Sequence, residues 1–151
     1  MNNERDVDLQ DCKLDDCLFF STTKLARALG KLADEAFSKT GLSPSHAVLL
    51  YNVNLKGGIQ QKEVGEMLNL TPSTITRLID KLERKKYVEK QPEGKNIYLR
   101  TTAEGLAQQE QIVASWRLLH NQYRNILTEA ETLCFLELSG KLLDKLGNKT
   151  E

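Results

Sequence analysis

Between Gln60 and Arg100 the chain carries two short helical patterns broken once by a turn, followed by a basic stretch with the look of a hairpin. The first pattern is Gln60-Gln61-Lys62-Glu63-Val64-Gly65-Glu66-Met67-Leu68, and Asn69-Leu70 leads into a second from Thr71. Val64, Leu68 and Leu70 can face inward with Ile75, Leu78, Ile79 and Leu82, at helical spacing. Gly65 is small where two helices are expected to cross closely. Asn69 stands where the turn needs a residue that tolerates positive φ. Thr71 caps the new helix, and Pro72 takes its first position, where a missing N–H costs nothing. The plainer alternative is an ordinary helical hairpin. The small residue, the turn residue and the Ile75/Leu78 pair all fall at helix-turn-helix offsets, which favours the DNA-reading motif.

Length and charge frame this motif. The 151 residues, 40% hydrophobic and 28% charged, suggest one domain with an oligomerisation extension and enough apolar material for a core. No apolar run approaches the roughly 20 residues of a membrane span and no apolar signal region opens the chain, so a cytoplasmic protein without a membrane partner is expected. The net charge of zero conceals an uneven distribution. Six acids (Glu4, Asp6, Asp8, Asp11, Asp15, Asp16) face Arg5 and Lys13 before position 17. From Thr71 to Arg100 eight bases (Arg77, Lys81, Arg84, Lys85, Lys86, Lys90, Lys95, Arg100) outnumber Asp80, Glu83, Glu89 and Glu93. A neutral whole can thus present a positive face to phosphates.

The rest of the chain reads as mainly helical with a small β-wing. A polar arm is expected at 1–15 and a long helix over about 16–39, carrying Leu18, Leu25, Leu29, Leu32 and Ala36, with Gly41 as its stop. Ser43-Pro44 starts a helix with Ala47, Val48, Leu50 and Tyr51 that ends near Gly57-Gly58. The motif helices follow, at about 60–68 and 72–86. Tyr87–Gln91 and Asn96–Thr101 are expected as strands around a Pro92-Glu93-Gly94-Lys95 turn. Thr102 caps one long helix from Ala103 to about Ile126, and a last helix covers Glu129–Leu146, with Leu133, Leu136, Leu143 and Leu146 on one face. This divides the chain into a dimerisation helix at 16–42, a winged helix-turn-helix at 43–102 and C-terminal dimerisation helices at 103–151. The long amphipathic helices carry apolar surface beyond what the compact motif can cover, and a second copy is the simplest partner. A two-fold dimer would set two recognition helices roughly 34 Å apart, on successive turns of the groove.

With these elements in place, the chain resembles the MarR family of winged-helix transcriptional regulators. The resemblance rests on Leu70-Thr71-Pro72-Ser73-Thr74-Ile75-Thr76-Arg77-Leu78-Ile79-Asp80-Lys81-Leu82-Glu83, supported by Lys85-Lys86-Tyr87-Val88-Glu89 and Thr101-Thr102-Ala103-Glu104-Gly105. It runs from about Asp16 to Leu146. It implies a homodimer on a palindromic duplex operator, and often a small effector held between the DNA-binding and dimerisation parts, so that a repressor released by that effector is the leading expectation. Members often carry Asp-x-Arg at the wing. Here the matching positions hold Glu93-Gly94-Lys95, and lysine lacks arginine's planar fork, so contact with phosphate is expected of it, with minor-groove reading in doubt.

Candidate DNA-binding residues follow from position: Thr71, Ser73, Thr74 and Thr76 as short hydroxyls, Arg77 as a fork for guanine, and Lys81 and Lys95 for phosphate. First-turn capping is the plainer reading of Ser73 and Thr74. Cys12, Cys17 and Cys134 are not expected to form structural disulfides. Some relatives sense peroxide through a cysteine near the start of the first helix, which makes Cys17 a redox candidate. Its neighbours Asp15 and Asp16 disfavour a thiolate, and no tyrosine precedes Tyr51 to support it. His46 and His120 are isolated and no CxxC spacing exists, so neither a metal nor a cofactor is expected. No phosphate loop or GxSxG motif suggests an enzyme. The alternatives to an effector-released regulator are a thiol-based sensor through Cys17 and a winged-helix protein-interaction module that does not bind DNA.

Overall fold

A computed structural model describes residues 13–147. Most of the polar arm expected at 1–15, and Cys12 with it, lies outside the described residues. The element order is α1 (Leu18–Phe37), α2 (Pro44–Lys56), β1 (Ile59–Gln60), α3 (Gln61–Leu68), α4 (Pro72–Arg84), β2 (Val88–Glu93), β3 (Asn96–Thr101), α5 (Ala103–Ala107), α6 (Gln109–Arg124) and α7 (Glu129–Gly147). The architecture is mainly helical with one three-stranded antiparallel sheet in the order β1-β3-β2, a winged helix-turn-helix with long helices at either end.

The helix ends obey local chemistry. Ser43 and Thr71 each accept a backbone N–H three residues on, and each is followed by proline at the first helical position. α1 tightens into a 3-10 turn at Ser38–Thr40 before Gly41, whose φ of 68° stops it. α3 ends as anticipated at Asn69, φ 51°. Leu70 N–H reaches back to the Gly65 carbonyl (3.0 Å) and Asn69 N–H to that of Glu66 (3.2 Å), which satisfies the last carbonyls of the helix. α4 ends the same way, with Tyr87 N–H on the Leu82 carbonyl (3.0 Å) and Lys86 N–H on that of Glu83 (2.8 Å). The left-handed residue there is Lys86, φ 62°, a position where sequence alone suggests continued helix.

The core collects Phe37, Leu42, Leu49, Leu50, Val53, Ile59, Val64, Ile75, Ile79, Leu82, Val88, Leu99 and Ile112, all almost without exposure. The inward face expected of the motif is there, with Leu68, Leu70 and Leu78 packed against the core from its edge.

Four local expectations change. Ile59 and Gln60 form a short strand paired to Leu99 and Tyr98, so Gln60 precedes α3 and is not part of it. The wing strands run further, with Pro92 opposite Ile97 and Glu93 opposite Asn96, which shrinks the turn to Gly94-Lys95. Pro92 is tolerated because β2 is an edge strand, where a missing N–H deprives no neighbour. Gly94, φ 61°, supplies the positive dihedral that so short a turn requires. The tight glycine is also not Gly65: a Cβ there would meet Ile75 Cγ1 at 3.4 Å, ordinary contact.

The close approach falls instead at Gly105, in the helix that was expected to be continuous from Ala103. That helix breaks at Gln108, between α5 and α6. A Cβ on Gly105 would stand 2.0 Å from the Tyr87 carbonyl oxygen, so only hydrogen fits. Thr102 N–H donates to the same carbonyl (3.1 Å), while the Thr102 hydroxyl donates to the Lys86 carbonyl (2.6 Å) and accepts from Gly105 N–H (3.0 Å). Asn54 of α2 completes the junction, donating to the Gly105 carbonyl (3.0 Å) and Gln109 Oε1 (2.9 Å) and accepting from the Thr101 hydroxyl. α5 is thereby pinned to the base of the wing, whereas α6 buries Ile112 and Ser115 against α1 and α2.

Gly105→Ala should therefore destabilise the fold by about 3 kcal/mol, the upper range of overpacking, because the obstacle is rigid backbone. Urea unfolding of the variant measures it, and a midpoint equal to the wild type's would show that the junction yields without cost.

Candidate nucleic-acid interface

α4 packs through Ile75, Ile79 and Leu82 and so turns its opposite side to solvent. Ser73, Arg77, Asp80 and Arg84, at spacings of four, three and four, form one outward stripe. Among the described residues Arg77 makes no ion pair and no side-chain hydrogen bond, so its guanidinium is free for an incoming acceptor. Lys95, exposed at the Gly94-Lys95 tip, is likewise without a partner among them.

The hydroxyls expected at the start of α4 are more occupied. Thr71 Oγ1 caps Thr74 N–H (3.4 Å) and shares hydrogen bonds with Thr74 Oγ1 (2.9 Å) and Ser73 Oγ (3.2 Å). Thr76 donates to the Pro72 carbonyl (2.9 Å) and accepts from Gln61 Nε2 (3.3 Å). Thr71, Thr74 and Thr76 are therefore largely spent on local structure, and of the four hydroxyls only that of Ser73 lies on the outward stripe. Lys81 falls on the flank of α4 toward α2, away from the stripe. The eight bases counted over this region also include one that is internally engaged: Lys90 of β2 bonds to Asp80 (2.5 Å) and lies 3.7 Å from Glu83.

His46 sits where α2 meets that flank. It is buried, with Nδ1 2.5 Å from the Ser43 hydroxyl, and it is a satisfied core histidine. Burial, and then the positive charges of Lys81 and Lys85, hold its pKa below the ordinary histidine value. Cys17 lies at the head of α1, half-buried, while Lys24 spends its charge on Asp15 (2.5 Å). Cys134 is exposed on α7.

A second feature lies between α2 and α6. Tyr51, Val113, Trp116, Arg117, His120, Asn121 and Arg124 line a cleft of about 310 Å³. Tyr51 and Trp116 meet edge-to-face at 5.3 Å, and Trp116 stands 6.3 Å from His120. The signal for this cleft was in the sequence: 113, 116, 117, 120 and 124 follow helical spacing but mix aromatic and cationic residues where a core stripe would be aliphatic. Asn54 and Lys90 had no such signal, since their partners are distant in the chain.

A helix-turn-helix with an unpartnered arginine on its outward stripe, an exposed wing tip and long flanking helices defines the winged-helix class. Comparison with known proteins narrows the class. The MarR family model matches residues 40–96, from just after α1 to the tip of the wing. The HTH-type transcriptional repressor MdtR of Bacillus subtilis is 28% identical over 111 residues, 72% of each chain. The fold superposes on the PcaV regulator of Streptomyces coelicolor in complex with its natural ligand, with TM-score 0.80 and 24% identity over 88% of this chain and 96% of that one. It also superposes on a mutant MarR of E. coli complexed with operator DNA, with TM-score 0.76 and 22% identity over 83% and 93%. The chain is thus similar to the MarR family from residue 40 to residue 96, and its fold is the one those winged-helix structures share.

Because the folded state holds His46 neutral, stability should be level above about pH 6.5 and fall as pH drops below it toward the lowered folded value. His46→Gln should flatten that part of the profile. Urea midpoints between pH 5 and 8 test this, and an unchanged slope in the variant would assign the dependence to other groups.

Proposed function

We propose that this protein is a dimeric, sequence-specific DNA-binding transcriptional regulator, a repressor released from its operator by a small molecule. The free guanidinium of Arg77 on the outward stripe of α4 carries the reading. Nothing within the described fold uses that charge, and a planar fork at this place suits guanine O6 and N7. Ser73 and the N-terminus of α4 serve phosphate, Thr76 with its engaged hydroxyl shapes the helix, and Lys95 meets the backbone from the wing. Thr71 and Thr74 act by shaping the helix start. Lys81, on the flank, touches at most a neighbouring phosphate.

The dimer takes up apolar surface that one chain leaves bare. No residue of α7 is buried, and Leu133, Leu136, Leu143 and Leu146 are each about 60% exposed. At the head of α1, Leu18 and Phe19 are 65% and 70% exposed. A monomer with this much apolar surface on two long helices would aggregate, whereas a two-fold copy covers it.

The effector reading rests on the Tyr51–Trp116 cleft. Its aromatic walls suit a flat ring, and Arg117, His120 and Arg124 at its rim suit an anionic group. It lies between α2 and α6, so that an occupant touches both the DNA-binding part and a helix of the proposed dimer. Trp116 is the chain's single tryptophan and reports its own site.

Four outcomes follow. In mobility shifts on duplex selected from a random pool, affinity should fall steeply with salt; binding indifferent to salt would refute phosphate recognition. Arg77→Ala should cost on the order of 1–3 kcal/mol and relax sequence preference, whereas Lys95→Ala should weaken all sequences alike and lower the salt slope by about one unit. Equal losses on selected and random DNA would reduce Arg77 to a phosphate contact. Leu136→Glu with Leu143→Glu should yield monomers by sedimentation and cost more affinity on a palindrome than on a half-site; a persistent dimer would place the interface elsewhere. Titration with an aromatic carboxylate should quench Trp116 and displace the duplex together, and quenching without displacement would separate the cleft from control of DNA.

A further inference from the structure

The outward stripe of α4 contains a residue that does not suit a DNA-facing surface. Asp80 sits three residues after Arg77 and four before Arg84, on the same side of the helix. At those spacings a carboxylate normally pairs with an arginine on its own helix. It does not do so here. The Asp80 carboxylate bonds to Lys90 Nζ (2.5 Å), which comes across from β2, and Glu83 stands 3.7 Å from the same nitrogen. Arg84 turns its Nε to the Asp80 backbone carbonyl (3.3 Å), and Arg77 is unpaired among the described residues. All three members of the cluster remain partly open to solvent, the side chains of Lys90, Asp80 and Glu83 being 29%, 45% and 46% exposed. An ion pair this exposed contributes little to folding. Its position, in the middle of a stripe that must approach phosphates, gives it another use.

We infer that Lys90 is a positioning residue for DNA binding: by holding the Asp80 and Glu83 carboxylates from the wing side, it keeps those acids from pairing with Arg77 and Arg84 and removes two bare negative charges from the surface that meets the backbone. The inference rests on the DNA-binding reading. It differs from a direct contact, because Lys90 acts through the acids and not on the nucleic acid. Its place at the root of the wing fits this. Lys90 pairs with Leu99 across the sheet, four positions from the Gly94-Lys95 tip on its own strand side.

The test is a double-mutant cycle on the duplex that the wild-type protein selects from a random pool, with circular dichroism to confirm that each variant is folded. Lys90→Gln should raise Kd about tenfold, the scale on which a bared like charge acts at an interface. Asp80→Asn added to Lys90→Gln should recover most of that loss, although it cannot rebuild the ion pair. In the wild-type background the same Asp80→Asn change should gain much less. Equal gains in both backgrounds, or a Lys90→Gln loss that Asp80→Asn does not repair, would make Lys90 an ordinary phosphate contact or a structural brace and overturn the proposal. Wild-type protein that selects no duplex would fail the DNA-binding reading itself, an outcome distinct from either.

Discussion

The contact on which most of this structure depends is the seat of Gly105 against the Tyr87 carbonyl. It joins the two ends of the wing: Tyr87 precedes β2, and Gly105 lies in the first turn after β3. The approach is so close that no side chain fits, and the surrounding hydrogen bonds from Thr102 and Asn54 fix α5 against both the hairpin and α2. The junction ties the end of α4, the root of the wing and the start of α6 to one another.

The same junction suggests how a ligand cleft and a DNA-facing surface can be connected. The cleft is lined by Tyr51 of α2 and by residues of α6. Asn54 lies one turn beyond Tyr51 on α2 and bonds to Gln109 at the head of α6 and to Thr101 at the end of β3. An occupant that altered the separation of α2 and α6 would be felt at the wing through these bonds. Coupling of this kind needs only a difference in affinity between two arrangements of packed helices.

Electrostatics at the DNA-facing surface depends less on how many bases there are than on which are free. Eight bases lie between Thr71 and Arg100, yet Lys90 is committed to Asp80 and Glu83. On the stripe and the tip Arg77 and Lys95 have no partner among the described residues, while Arg84 spends its Nε on the Asp80 carbonyl. A positive surface in this protein is made by pairing off acids as much as by adding cations.

Much of the fold was legible in the residues because its signals are local. Capping by Ser43, Thr71 and Thr102, proline at the first helical position and the left-handed turn at Asn69 each depend on a few neighbours in the chain, and so could be read from it. The amphipathic spacing of Val64, Ile75, Ile79 and Leu82 is equally local, because one helix face must be buried whatever buries it. Tertiary structure alone decided the rest. The need for glycine at position 105 comes from the distant Tyr87 carbonyl, the two-residue strand at Ile59 exists only because Leu99 offers it an edge, and Lys86 is left-handed because Tyr87 must turn into the wing. Arg77 could be named from its position. That it is free depends on where the Asp80 carboxylate goes, and a lysine on another strand decides that.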